Sequence, residues 1–495
     1  MHHEKQEIRH APAEEESSIE FPQMVTLTSV ENKALYRKID WHIMPLMFAA
    51  FFLQFLDKAN LGYANIMGLQ EDLGLQGQQF SWLATSFFIA YTISEFPQGW
   101  LLQRYPPATV LGVNITLWGI LVASTAACHN FAGVLIVRIL QGAVEAVITP
   151  SLILITCQWY KRRESTPRYG IWFCGVGAGQ IIGGLISYAA QHGSRTVPFS
   201  GWRIMFVAVG LFNLVIATLV LLLLPNAPDT APWLSKEEKA HIRDRLALDR
   251  AGTGMKAFQK AALVEVFNDL HVWILFFLQT AIVIPSGVIT TFSATLIAGF
   301  GFDSKTAALL NVPSGAVSIF AVLSATYAIL IDFPRWLGIV LLMVPSLIGA
   351  GLMSFYSDGQ GGVLAGIYLP NFSIAPSPLV NALAGTNTKG YTKKVAVNAT
   401  LAIGVGIANI IGLQTFLSWE APNYISAKIA LFVANGSVII LAIILRVSYG
   451  WSNRKKHQKR RSEPIALSSE SAIQYSSEQM DKTTDVKDKA FVYMY

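Results

Sequence analysis

The sequence predicts an all-α polytopic membrane protein, with twelve transmembrane helices in two six-helix halves. Three observations carry that expectation. The composition is 53% hydrophobic and only 14% charged, where a water-soluble chain is roughly 25% charged. The charges are bunched: "MFVAVGLFNLVIATLVLLLL", Met205 to Leu224, holds none, and about 20 such residues cross a bilayer core as a helix. Runs of this kind recur in two groups of six around a polar centre. A soluble enzyme with buried helices would need polar faces that these segments lack.

In order, the apolar runs fall at 43–66, 80–103, 108–127, 131–157, 168–190 and 202–224, then at 271–299, 306–331, 336–356, 361–386, 393–417 and 428–450. The chain thus divides into an N-terminal tail (1–40), a first half (41–225), a central loop (226–270), a second half (271–450) and a basic, then polar tail (451–495). Ser235 followed by Glu238 has capping-box spacing and predicts a short helix at the membrane surface. Lys and Arg place both tails and the central loop on the cytoplasmic side. Loops on that side hold Arg104, Lys161, Arg162, Arg163, Arg168, Arg335, Lys389, Lys393, Lys394 and seven basic residues from Lys236 to Lys260; the other side holds Arg195, Arg203, Lys305 and Lys428. "RKKHQKRR", Arg454 to Arg461, reads as an anchor to anionic lipids rather than a nucleic-acid site. The polar stretch 468–485 reads as disordered. No cleavable leader is visible. Cys128, Cys157 and Cys174 have no paired or metal-ligand spacing and read as packing residues.

A charge at mid-bilayer costs at least about 2.5–3.5 kcal/mol, so it needs a partner or a cavity. Asp57 and Lys58 lie in the first run, Glu95 in the second, Arg138 and Glu145 in the fourth. Arg138, Gln141 and Glu145, at i, i+3 and i+7, share one helical face; Tyr91, Glu95 and Gln98 share another. Glu145 is two turns from Arg138, about 10 Å along the axis and too far for a direct pair. Another anion, either Asp57 or a solute, is therefore expected at Arg138; packing with Asp57 alone is the bland alternative. Glu95 and Glu145 are open to gating or packing roles. The second half carries neutral groups instead: Gln279, Asn311, Asn381, Asn387, Asn398, Asn409 and Gln414. That asymmetry suits a solute with one anionic and one neutral polar end. "GVGAGQIIGG" (175–184) reads as helix packing, not a phosphate loop. With no nucleophile elbow, metal-type His cluster or ATP motif, an enzyme or a primary pump is not expected, and no cofactor or metal is implied.

Several motifs carry a resemblance: "FLDKANLGYA", "YTISEFPQGWLLQRYPP", "RILQGAVEAVITP", "QWYKRRESTPRYG", "GWRIMF", "LPNAPDTAPWLSKEEK" and "NTKGYTKK". Along most of 36–450 the chain resembles the major facilitator superfamily, and within it the fungal anion:cation symporter group of allantoate-permease type. The resemblance implies the major facilitator fold and alternating access, with proton-coupled uptake of organic anions. Lys58 stands where the group often has arginine; Arg138, Glu145 and Glu95 match its charged positions; Asn387, Gly390 and Lys393 match its "N..G.TK" run. After the second run, Gly99 is followed by Gln103 and Arg104, without the superfamily's usual aspartate. Gating is then expected to use Glu95 or Glu145 with Arg162, Arg163 or Arg168.

The expected function is secondary active transport, by proton-coupled uptake of a small organic anion of carboxylate, vitamin or ureide type. Lys58, Arg138, Gln141, Tyr91 and Asn387 are expected to bind the solute, and Asp57, Glu95 and Glu145 to couple protons or gate. The expected setting is a monomer among plasma-membrane lipids, with cytoplasmic termini and no nucleic-acid partner. Export of a small metabolite on the same fold, or a transporter-like nutrient receptor, remain the alternatives.

Overall fold

The computed structural model describes residues 29–193, 199–250, 260–355, 360–421, 424–462, 484–486 and 491–494. Among them the secondary structure is helical throughout. Eleven helices are long and apolar enough to cross a membrane. The remaining span, Gln79–Arg104, has 26 residues, about 39 Å at 1.5 Å per residue. Its Gln, Ser, Thr, Tyr and Glu residues dilute its hydropathy but not its length.

In the first half, span 1 is Ser29–Ile66, span 2 Gln79–Arg104, span 3 Pro107–Thr125, span 4 Phe131–Trp159, span 5 Arg163–His192 and span 6 Gly201–Leu223. In the second half, span 7 is Leu270–Gly299, span 8 Ser304–Leu330, span 9 Arg335–Phe355, span 10 Gly361–Asn387, span 11 Tyr391–Gln414 and span 12 Ile425–Ser462. Within the halves, span 3 packs on span 6, span 2 on 4, span 1 on 5, span 9 on 12 and span 7 on 11. The halves meet along spans 1 and 7, 2 and 11, and 5 and 8.

Local chemistry explains where the helices depart from the apolar runs. Span 1 begins well before residue 41 because its polar first turns have polar partners: Lys38 pairs with Glu238 at 2.8 Å, and Asp40 takes two hydrogen bonds from Arg168, both 2.7 Å. Span 4 is two helices, Phe131–Glu145 and Ile148–Trp159, broken just ahead of Pro150. Span 10 passes through a 3-10 turn, Leu369–Ile374, which holds Pro370 and stops just ahead of Pro376. Span 5 carries glycines on two faces. Gly175 and Gly179 lie against the span 1 backbone at Phe52 and Leu56, while Gly177 meets the carbonyl of Gly315 in span 8. A Cβ at Gly177 or Gly315 would overlap the other helix's backbone, so small residues set this approach.

The end bearing the start of span 1 and the end of span 12 is called here the tail end. The central segment splits between the halves there. Helix Lys236–Arg250 opens on the expected capping box, with Ser235 N–H donating to Glu238 Oε2 at 2.8 Å and Glu238 N–H to Ser235 Oγ at 3.1 Å. It docks on the first half through Glu238–Lys38 and Arg245–Glu164. Helix Lys260–Asn268 docks on the second half through Glu265, 3.0 Å from Lys393.

Three expectations need correction. The polar tail is not disordered to its end: Thr484 and Asp485 are buried, because Thr484 donates to Glu265 and Asp485 pairs with Lys393; residues 468–483 lie outside the described residues. Arg168 is committed to Asp40 and Glu145 to Lys58, so neither serves the expected gate between them in this conformation. Cys157 is exposed rather than packed inside, while Cys128 and Cys174 are partly buried, and none of the three forms a disulfide among the described residues.

Candidate functional site

Two cation–carboxylate pairs cross between spans 1 and 4. Arg138 Nη1 lies 3.3 Å from Asp57 Oδ2, with side chains 3% and 0% exposed. Lys58 Nζ lies 3.0 Å from Glu145 Oε1, with side chains 14% and 0% exposed. The sequence forces this ladder. Asp57 and Lys58 diverge by about 100° around span 1, whereas Arg138 and Glu145 share a face two turns apart. Neighbours on one helix thus reach separated rungs on the other. Gly142 between the rungs lets span 2 close in, since its Cβ position is filled by the Phe87 carbonyl.

The pairs differ in kind. Arg138 donates a hydrogen bond to Asp57. The Lys58–Glu145 approach is an ion contact without aligned hydrogen-bond geometry, and both Glu145 oxygens have no hydrogen-bond donor among the described residues. We read it as a charge contact because the distance is short and the angle poor. Lys58 also sits in an aromatic surround, with Nζ 5.0 Å from the Phe55 ring centre and 5.5 Å from that of Tyr91. Further buried polar atoms here have hydrogen-bonding capacity to spare: Arg138 Nε and Nη2, Asp57 Oδ1, Gln141 Oε1, and both ends of the Asn60 amide. Native interiors rarely leave such groups unused.

The other expected residues are placed as follows. Gln141 is fully buried and donates to Thr125 Oγ1 at 3.4 Å. Tyr91 is half-buried beside Lys58. Glu95 is half-buried and has no hydrogen bond or ion pair among the described residues. Its face-mate Gln98 turns to Asn114 and the Ala143 carbonyl. Asn387 is not brought to the ladder: it lies at the tail end of span 10, and its amide is engaged by the backbone of Met494. Most neutral groups of the second half are also occupied. Gln279 donates to Ser377, Asn311 to Tyr63, Asn409 to Val405 and Gln414 to Thr85. Asn381 and Asn398 are exposed. Sequence reasoning overlooked Gln54 and Asn60, which are buried in span 1 beside the ladder. Their signal was present: Gln54, Asp57 and Asn60 recur every third residue in an apolar helix.

At the end opposite the tails the halves are closed. Asn65 donates to Thr295 at 2.9 Å, Ser81 to the Phe416 carbonyl at 3.2 Å and Gln414 to Thr85 at 2.7 Å. Phe292 stacks on Phe416 with centroids 3.8 Å apart, and Phe80 abuts Phe292. Deeper, Gln180 of span 5 joins Ser318 and Asn371.

A two-halved bundle of twelve membrane helices, with buried charge in one half and a polar closure across the halves at one end, defines a secondary transporter rather than an enzyme. Comparison with known proteins gives the family. The sequence pattern of the Major Facilitator Superfamily matches residues 47–412. The chain is similar to the Thiamine pathway transporter THI73 of Saccharomyces cerevisiae, 34% identical over 465 residues that cover 93% of this chain and 86% of that one. It is also similar to Allantoate permease of the same yeast, 32% identical over 447 residues, 87% and 82% of the two chains. Among solved structures, the D-xylose-proton symporter shares the fold, with a TM-score of 0.63 at 14% identity over 82% of this chain and 97% of that one. The chain belongs to the Major Facilitator Superfamily, in the group of fungal transporters that includes allantoate permease.

Proposed function

We propose that this chain takes up a small organic anion together with protons, by alternating access, in the plasma membrane and with both terminal segments in the cytoplasm. The observation that carries the proposal is the Lys58–Glu145 contact: a buried carboxylate held by one reachable cation, without an aligned hydrogen bond. A solute carboxylate arriving at Lys58 competes with Glu145 for the same ammonium. Once Lys58 turns to the solute, Glu145 stands in a low-dielectric site without its counter-charge, and binding a proton removes that cost. Solute and proton then load together. Arg138 is the deeper cation, and its planar fork suits a carboxylate; it meets the solute when Asp57 is displaced, and Asp57 takes the second proton. Tyr91 and Gln141 line the same face, and Glu95, half-buried in span 2, serves as gate or proton stop. The name allantoate permease, borne by a relative, supports a carboxylate or ureide solute. The excess of Lys and Arg at the tail end supports the orientation.

The test is uptake into proteoliposomes under an imposed pH gradient, with a panel of labelled organic acids. Glu145→Gln should still bind and exchange the solute, while its gradient-driven accumulation falls to the level seen without a gradient. Accumulation by that variant equal to the parent's would remove Glu145 from proton coupling.

A further inference from the structure

The tail end of the second half holds a constellation that solute transport does not use. Asn453 of span 12 donates to the Tyr493 carbonyl and accepts from the Tyr493 N–H, both at 2.9 Å. Asn387 treats the next residue in the same way, donating to the Met494 carbonyl at 2.9 Å and accepting from its N–H at 2.7 Å. Two carboxamides thus read the backbone of two consecutive residues, as a strand edge would. The Tyr493 ring is 3% exposed. It stacks on Tyr449, 5.1 Å away at 10°, and lies 5.0 Å from the His271 ring. Asp485 reaches Lys393 at 2.8 Å, accepts from the Tyr493 hydroxyl at 3.1 Å, and offers its carbonyl to Lys456 at 2.6 Å. Thr484 donates to Glu265 at 2.8 Å.

We propose that this face is a peptide-docking groove, that its occupants are the chain's own residues 484–486 and 491–494, and that Asn387 and Lys393 of the "NTKGYTKK" run serve docking. The components divide the work as peptide sites do: amides grip backbone, an aromatic slot selects a side chain, and a cation selects an acid. The contacts named above lie at the tail ends of spans 7, 10, 11 and 12 and on the helix Lys260–Asn268 that docks on the same half. The docking is built to release. Lys393 already faces Asp269 at 2.7 Å and Glu265 at 3.0 Å, so Asp485 is a third carboxylate on one ammonium. Burial pushes the Asp269 carboxyl up, but the His271 bond and the Lys393 charge outweigh it and hold it down at about 2. Asp269 is therefore ionised across the physiological range, and its repulsion of Asp485 is always present. A filled groove ties the ends of four spans together; an empty one leaves them free, so the segment is a strap on the half that must move.

The intact chain gives the first test: timed carboxypeptidase digestion, read by mass spectrometry. Trimming should be slow in the parent and faster by about ten-fold or more in Asn387→Ala and Asn453→Ala. Equal trimming rates would overturn the groove. The second test uses a fluorescent peptide of sequence TDVKDKAFVYMY on detergent-purified chain lacking residues 484–495. Saturable binding is expected. It should weaken by about ten-fold or more with Tyr493→Ala in the peptide, or with the full-length chain, whose groove is filled in cis. Binding that ignores the tyrosine, or that is equal on both chains, refutes the proposal.

Discussion

Removing Asp57 and Arg138 singly and then together distinguishes a packing pair from a solute site. At 3.3 Å and an effective dielectric of about 20, their attraction is about 5 kcal/mol. Desolvating both ions offsets most of that gain, so the pair itself is worth little, but breaking it is costly. Asp57→Leu leaves a guanidinium that is 3% exposed without its carboxylate, and should cost about 3–5 kcal/mol; Arg138→Met should cost about the same for the reverse reason. The double variant, apolar at both positions, should return close to the parent, giving a coupling of about 6 kcal/mol or more, the sum of the two single costs. Unfolding of the purified chain in detergent measures all four corners of the cycle. If the double variant is destabilised by the sum of the singles, the two residues are not a buried pair and the ladder geometry is wrong. The same double variant then settles the role of Arg138: folded but unable to bind the anion if Arg138 contacts the solute, folded and of parental affinity if the pair only packs.

Two further outcomes are expected. A Cβ at Gly62 would run into the Thr291 carbonyl across the seam of spans 1 and 7, so Gly62→Val should hold the far end open; a cysteine at Thr295 should then label faster from that side, and unchanged labelling would count against it. Cysteines at the exposed Gln76 and Ser235 should label from opposite faces of the membrane with an impermeant maleimide, and labelling from one face would break the orientation.

The apolar spans were legible because burial in lipid leaves a composition signal that needs no partner. Span 7 was expected at 271–299 and is Leu270–Gly299; span 9 was expected at 336–356 and is Arg335–Phe355. Helix that depends on partners was not legible: the first turns of span 1 stand because of Glu238 and Arg168, residues far along the chain. At the site, the shared face of Arg138 and Glu145 was readable from helical period, and so was the need for another anion near Arg138. Which carboxylate meets which cation was not readable, because it depends on how spans 1 and 4 cross. The place of Asn387 was not readable for a related reason: an asparagine at the start of a polar run does not reveal that its partner is a backbone 107 residues away.

The glycines of span 5 have a mechanical meaning. Most helix interfaces are toothed: side chains of one ridge sit in grooves of the other, and rotation must lift each tooth over the next. Where Gly177 meets Gly315 backbone lies on backbone, with Ile181 and Ile319 the nearest side chains. Such a contact offers fewer teeth to lift than a ridge packed in a groove, so it can roll more as a journal rolls in a bearing, with only the flanking isoleucines to adjust. If the two halves rock, the axis of least friction runs along this seam, and the polar closure at the far end becomes a catch rather than a hinge. The barrier to reorientation then resides in the catch, so bulk added at the seam would jam the transporter in either state, whereas loosening the catch would speed turnover without moving the axis.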